Sequence, residues 1–142
     1  MRFAGVNYLA VLLATVASFL FGGVWYGMFA KQWMEAAGVK AAGIPKDKGG
    51  TGGPSPIPFI LAFLAQLVMA WMLAGVIGHL GKVTLWNGLV SGLFIWFGFV
   101  MMTLIVNYSF QGAKRALALI DGGHWLGVLV LQGVIIGWMG VR

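Results

Sequence analysis

The chain has 142 residues, of which 61% are apolar and only 8% charged, a make-up foreign to soluble domains and suited to a lipid bilayer. Nine Lys and Arg against three Asp and Glu give a formal net charge of +6, but the bases are scattered over short connections and form no continuous phosphate-binding face, which speaks against a nucleic-acid partner. With no cysteine there is no disulfide frame, no thiolate nucleophile and no sulfur metal site.

The first apolar run, residues 3–30, is free of charge over more than the ~20 residues that cross a bilayer. It outruns the apolar core of a signal peptide and is expected to remain as span one. Asn7, Ala14, Ser18, Gly22 and Trp25 share one helical face, a small and polar stripe of the kind that turns toward protein. Trp25, Tyr26 and Trp33 suit the headgroup belt as interfacial anchors.

Residues 31–56 form the long first connection. Its opening, Lys31-Gln32-Trp33-Met34-Glu35-Ala36-Ala37, reads as a short interfacial helix that Gly38 ends. The glycines and prolines of residues 38–56 predict a flexible linker. A P-loop is excluded, because the glycine run lacks the closing Lys-Ser/Thr and follows no strand.

Span two is expected over residues 57–80, with Pro58 tolerated in the first turn. Ala62, Gln66 and Ala70 line one face, and Gln66 is expected to hydrogen-bond to a neighbouring helix. The short turn at residues 78–82 makes spans two and three antiparallel neighbours. In span three, residues 84–108, Asn87, Ser91, Gly98 and Met102 share one side, and Gly88, Gly92 and Thr103 another; each side offers a close-approach surface. Asn107 and Tyr108 reach the far interface. Span four follows over residues 117–139. The expected architecture is an all-α integral membrane protein, a single transmembrane domain of four helices in an antiparallel bundle.

Orientation follows from Lys and Arg on the two sides. Lys31, Lys40, Lys46, Lys48, Lys114 and Arg115 lie in connections one and three, against Arg2, Lys82 and Arg142 at the termini and connection two. Both termini are therefore expected to face outward, in the periplasm, from a bacterial inner membrane.

Span four carries the chemistry. Asp121 and His124 stand three residues apart near its entry, and ionisable groups inside a membrane are held there only when paired or hydrated. With Gln132, Asn107 and Gln66 they make up the candidate polar intramembrane site. At about 100° per residue, Gly127 and Gly137 fall within about 40° of Gly123, and Gly133 within about 80°. This glycine face, with Gly22 and Ser18 on span one, suits close helix packing. Asp121, Val128 and Gln132 lie nearly opposite, so one face is expected to serve the chain's own bundle and the other a neighbouring chain.

Each polar residue has a plain reading and a sharper one. Asp121 is stabilised near a helix start, or it carries protons as a general acid or base. His124 pairs with Asp121 on the same helix, in a structural contact or a proton relay. Ligation of a single haem or pigment by His124 is a lesser alternative. His79 belongs to the opposite side, which leaves no pair of axial ligands; no other cofactor and no metal site is expected. Ser18, Ser55, Ser91 and Ser109 lack any nucleophile signature, so no enzyme is expected.

The segments Asn7-Tyr8-Leu9-Ala10-Val11, Gly23-Val24-Trp25-Tyr26-Gly27 followed by Lys31-Gln32-Trp33, and Ile120-Asp121-Gly122-Gly123-His124-Trp125-Leu126 with Gly133 and Gly137 resemble a bacterial family of small membrane proteins, domain-of-unknown-function family 1761. The resemblance covers nearly the whole chain apart from the first connection. It implies four membrane helices and no established activity. The leading expectation is a structural or accessory subunit that packs through glycine-lined faces into a homo-oligomer or larger membrane complex. The alternative is a small-solute, ion or proton transporter or channel with a polar site around Asp121 and His124.

Overall fold

Asn7 sets the start of the first helix: its Oδ1 accepts from the Ala10 N–H at 3.2 Å, so the helix begins at Tyr8. The computed structural model describes residues 5–38 and 55–140. Within them the elements are α1 (Tyr8–Met28), α2 (Ala30–Ala37), α3 (Ile57–Leu80), α4 (Leu85–Ile95), a π turn (Trp96–Met101), α5 (Met102–Phe110) and α6 (Arg115–Met139). Four stretches are long and apolar enough to cross a membrane: α1, α3, the continuous Leu85–Phe110 and α6. The interfacial helix is present as α2, ended by Gly38 at φ 67°, a left-handed conformation that costs glycine little. Most of the linker expected over residues 38–56 lies outside the described residues.

The architecture is an all-helical antiparallel bundle, and α6 is its axis. This helix packs against every other described helix, and its buried residues, among them Leu117, Asp121, His124, Val128, Gln132 and Ile136, point in several directions. Span one turns its small and polar stripe inward as expected, burying Ala10, Ala14, Thr15, Ser18 and Gly22. Gly88 and Gly92 bury their side of span three directly against α6. A methyl group at Gly88 would collide with the Gly133 carbonyl, and one at Gly92 with that of Leu129, so the two backbones touch.

The π turn changes the phase of span three. On a continuous α-helix, Trp96 and Tyr108 would stand about 120° apart at about 100° per residue. Closing i→i+5 hydrogen bonds, the π turn rotates less per residue, and both side chains reach α6. Gly98, Met102 and Thr103 are left on the outside.

The interior is divided along the membrane normal. Toward the chain ends and connection two it is apolar, with Ala10, Val11, Ala14, Ala70, Leu73, Ala74, Ile77, Leu129 and Ile136 forming one cluster. Toward connections one and three it is aromatic and polar, and there the site is found.

Candidate functional site: a carboxylate held by three helices

Asp121 is the seventh residue of α6, about 9 Å along the helix axis from its start. At that depth the terminal dipole has faded, so the helix start does not explain the carboxylate. Side chains from three other elements do. Oδ1 accepts from the Tyr26 hydroxyl of α1 at 2.6 Å and from the Trp33 indole N–H of α2 at 3.1 Å. Oδ2 accepts from the Tyr108 hydroxyl of α5 at 2.5 Å. Asp121 itself is 8% exposed, and all three donors are neutral.

The flanking backbone is held in the same way. Trp25 donates its indole N–H to the Ile120 carbonyl at 3.0 Å, and Trp96 donates to the Gly122 carbonyl at 2.8 Å. Three indoles and two phenols thus converge on three consecutive residues of α6. Each ring also fills space: Trp25 lies over Gly123 and Phe21 over Gly127, where any added methyl group would strike the ring. On the exposed side the Lys114 ammonium donates to the Glu35 carbonyl at 3.3 Å, a further tie between α2 and the entry of α6.

Several sequence expectations are corrected by this geometry. Trp25, Tyr26 and Trp33 are half-buried and spend their polar ends on α6. Asp121 does not hydrogen-bond to His124; its oxygens accept from the two phenols and the Trp33 indole. His124 instead sits in an aromatic box, with ring centroids 4.8 Å from Tyr26 and 4.7 Å from Trp125, and its Nδ1 is buried without a partner. Asn107 is exposed and stands outside the site.

Gln132 and Gln66 belong to a second polar layer in the middle of the bundle. The Gln132 amide donates to Ser18 Oγ at 3.1 Å and to the Gln66 backbone carbonyl at 3.0 Å, joining α6 to α1 and α3. The expected side-chain bond from Gln66 to a neighbouring helix is replaced by its main-chain carbonyl, and its Oε1 has no partner. Both layers of α6 glycines are also consumed inside the chain. Gly123 and Gly127 receive Trp25 and Phe21, while Gly133 and Gly137 meet the backbone at Gly88 and Thr84. With Asp121, Val128 and Gln132 buried as well, neither face of α6 is left for a neighbouring chain.

Tyr108 and Trp96 were not legible as site residues. Straight α-helical periodicity separates them, and only the π turn brings them together on α6.

No curated protein and no solved structure matches the chain. A family model described as a protein of unknown function, DUF1761, matches residues 9–137. That match takes in both polar layers and all four spans, and the chain belongs to the DUF1761 family.

Proposed function

We propose that the protein is a non-enzymatic structural or accessory subunit of a bacterial inner membrane, with both termini outward, and that it meets a second copy or another subunit through span three. The observation that carries this reading is an imbalance of burial. Within the membrane-length windows, 44% of α6 is buried inside the chain but only 11% of span three. The uncovered side of span three presents Gly98, where a methyl group would meet nothing within 4 Å, together with exposed Thr103 and Asn107. Small and polar residues of this kind favour helix–helix contact over lipid.

The transporter reading has less support. The donors around Asp121 are engaged in tying helices together, and toward connection two the bundle closes into the apolar cluster around Leu73, Ile77, Leu129 and Ile136. A pathway needs hydratable groups from one side to the other.

The absence of native cysteine makes a direct test clean. Gly98→Cys, oxidised in native membranes, is expected to give a disulfide-linked dimer or a disulfide to a foreign subunit. Ser91→Cys, nearly isosteric and buried on the other side of span three, is expected to give neither. Absence of any cross-link at Gly98, Thr103 and Asn107 in turn would reject span three as the contact.

A further inference from the structure

A cavity of about 590 Å³ lies between the second half of α1, the first half of α3 and α6. The aromatic rings of Phe19, Tyr26, Phe59 and Trp125 are part of its wall. Gly23 and Gly27 leave the α1 side bare: a methyl group at either would meet nothing within 4 Å. Both glycines and Phe59 are exposed at the flank of the bundle, so the mouth opens sideways between two membrane spans.

Two buried polar side chains line this otherwise apolar space. His124 is 5% exposed with Nδ1 unpartnered, and Gln66 is 2% exposed with Oε1 unpartnered. Those two atoms are sealed off from the cavity, so His124 Nε2 and Gln66 Nε2 are the polar atoms of these side chains left to face it, and both can donate. An apolar, aromatic cavity carrying a few polar groups is the make-up of a small-molecule site. Gln66 lies on the Gln132–Ser18 layer, and His124 lies against Gly22. Ser18 and Gly22 are four residues apart on α1, which puts His124 roughly 6 Å along the bundle from the level of the Gln66 main-chain carbonyl.

The lining also restricts the ligand. Among the residues around the cavity there is no Lys, Arg, Asp or Glu, so the occupant is neutral. The His124 tautomer follows from the sealed Nδ1: a buried N–H without an acceptor is the costlier orphan, so the proton belongs on Nε2, which becomes a donor. A haem or chlorophyll would need the Nε2 lone pair and would leave an Nδ1–H with no acceptor, whereas metal-bound histidines hold that second N–H with a partner.

We propose that this cavity binds a quinone-type lipid, a neutral ring bearing two carbonyl oxygens with an apolar tail. One carbonyl accepts from His124 Nε2–H and the other from the Gln66 amide, on opposite edges of the same ring. The flat α1 wall at Gly23 takes the ring face, and the tail leaves through the lateral mouth.

The test is a titration of the full chain, purified in mild detergent, with a ubiquinone analogue carrying a ten-carbon tail, read by quenching of tryptophan fluorescence. Saturable quenching is expected in the wild type. Gly23→Leu, which fills open space, is expected to abolish saturation while its melting temperature stays at or above the wild-type value. His124→Leu is expected to weaken binding at least tenfold. A wild-type curve that never saturates, or that Gly23→Leu reproduces, overturns the site and leaves the groove to acyl chains. Saturation with equal affinity in His124→Leu overturns the assigned hydrogen bond. Haemin producing a His124-dependent shift of its main absorption band, with no quinone saturation, overturns the ligand class.

Discussion

The Tyr108 hydroxyl donates to Oδ2 of Asp121 at 2.5 Å, closing span three onto span four, while Tyr26 holds the other oxygen at 2.6 Å. Two phenols from different helices therefore share one acceptor. Tyr26→Phe and Tyr108→Phe are each expected to cost about 1–2 kcal/mol, the value of a hydrogen bond lost from a partly buried acceptor that keeps other donors. Because they share Asp121, the double variant should depart from the sum of the two. Thermal melting of the three variants in detergent measures both effects.

The glycines of the bundle divide into those with no room and those with open space. Gly88→Ala and Gly133→Ala would drive a methyl group into the facing backbone, which cannot move aside as a side chain does. Each is expected to cost at least ~3 kcal/mol, at the upper end of single-site effects. Gly78→Ala meets nothing within 4 Å on α3 and is expected to stabilise the helix by roughly 0.5–1 kcal/mol. Parallel melting curves order the three variants.

Trp25 and Trp96, which bond to main-chain carbonyls, are expected to matter less than the donors to the Asp121 carboxylate. Trp96→Phe removes the donor to Gly122 O, but that carbonyl also serves the α-helical ladder. The loss is expected to be about 0.5–1.5 kcal/mol for the bond, with the ring's packing largely kept. A shift as large as that of an Asp121 substitution would show that the Gly122 carbonyl is a main support of the site.

The orientation proposed from Lys and Arg can be read with single cysteines. On intact cells, a membrane-impermeant maleimide that reaches the periplasm is expected to label Lys82→Cys in connection two and to spare Gln111→Cys in connection three. The reverse pattern would place Asp121 near the outward face.

Much of the fold is legible in the residues. Charge-free runs of bilayer length give the first three spans and an apolar run with a single carboxylate gives the fourth, Gly38 marks the end of α2, and the Ala14–Ser18–Gly22 stripe marks the inner face of α1. The site is legible only in part. Asp121, His124, Gln132 and Gln66 stand out because polar groups are scarce in this chain, but their partners do not. Helical periodicity places residues on faces and says nothing of which distant aromatic reaches across. Trp25, Tyr26 and Trp33 have the composition of a headgroup belt, and the same amphipathic rings serve equally well as buried donors. The glycine faces mislead for a related reason: small-residue spacing shows that a helix is approached closely, whether the approaching helix belongs to the same chain or another.

Asp121 is the acceptor that ties α1, α2 and α5 to α6. The most direct test is the melting temperature of Asp121→Ala in mild detergent, alone and combined with Tyr26→Phe. Loss of the shared acceptor leaves two hydroxyls and an indole N–H without their partner, which should cost about 3 kcal/mol or more. A strongly lowered melting temperature is expected, with Tyr26→Phe adding little in that background. A melting temperature equal to that of the wild type, or a full additional loss from Tyr26→Phe, would contradict it.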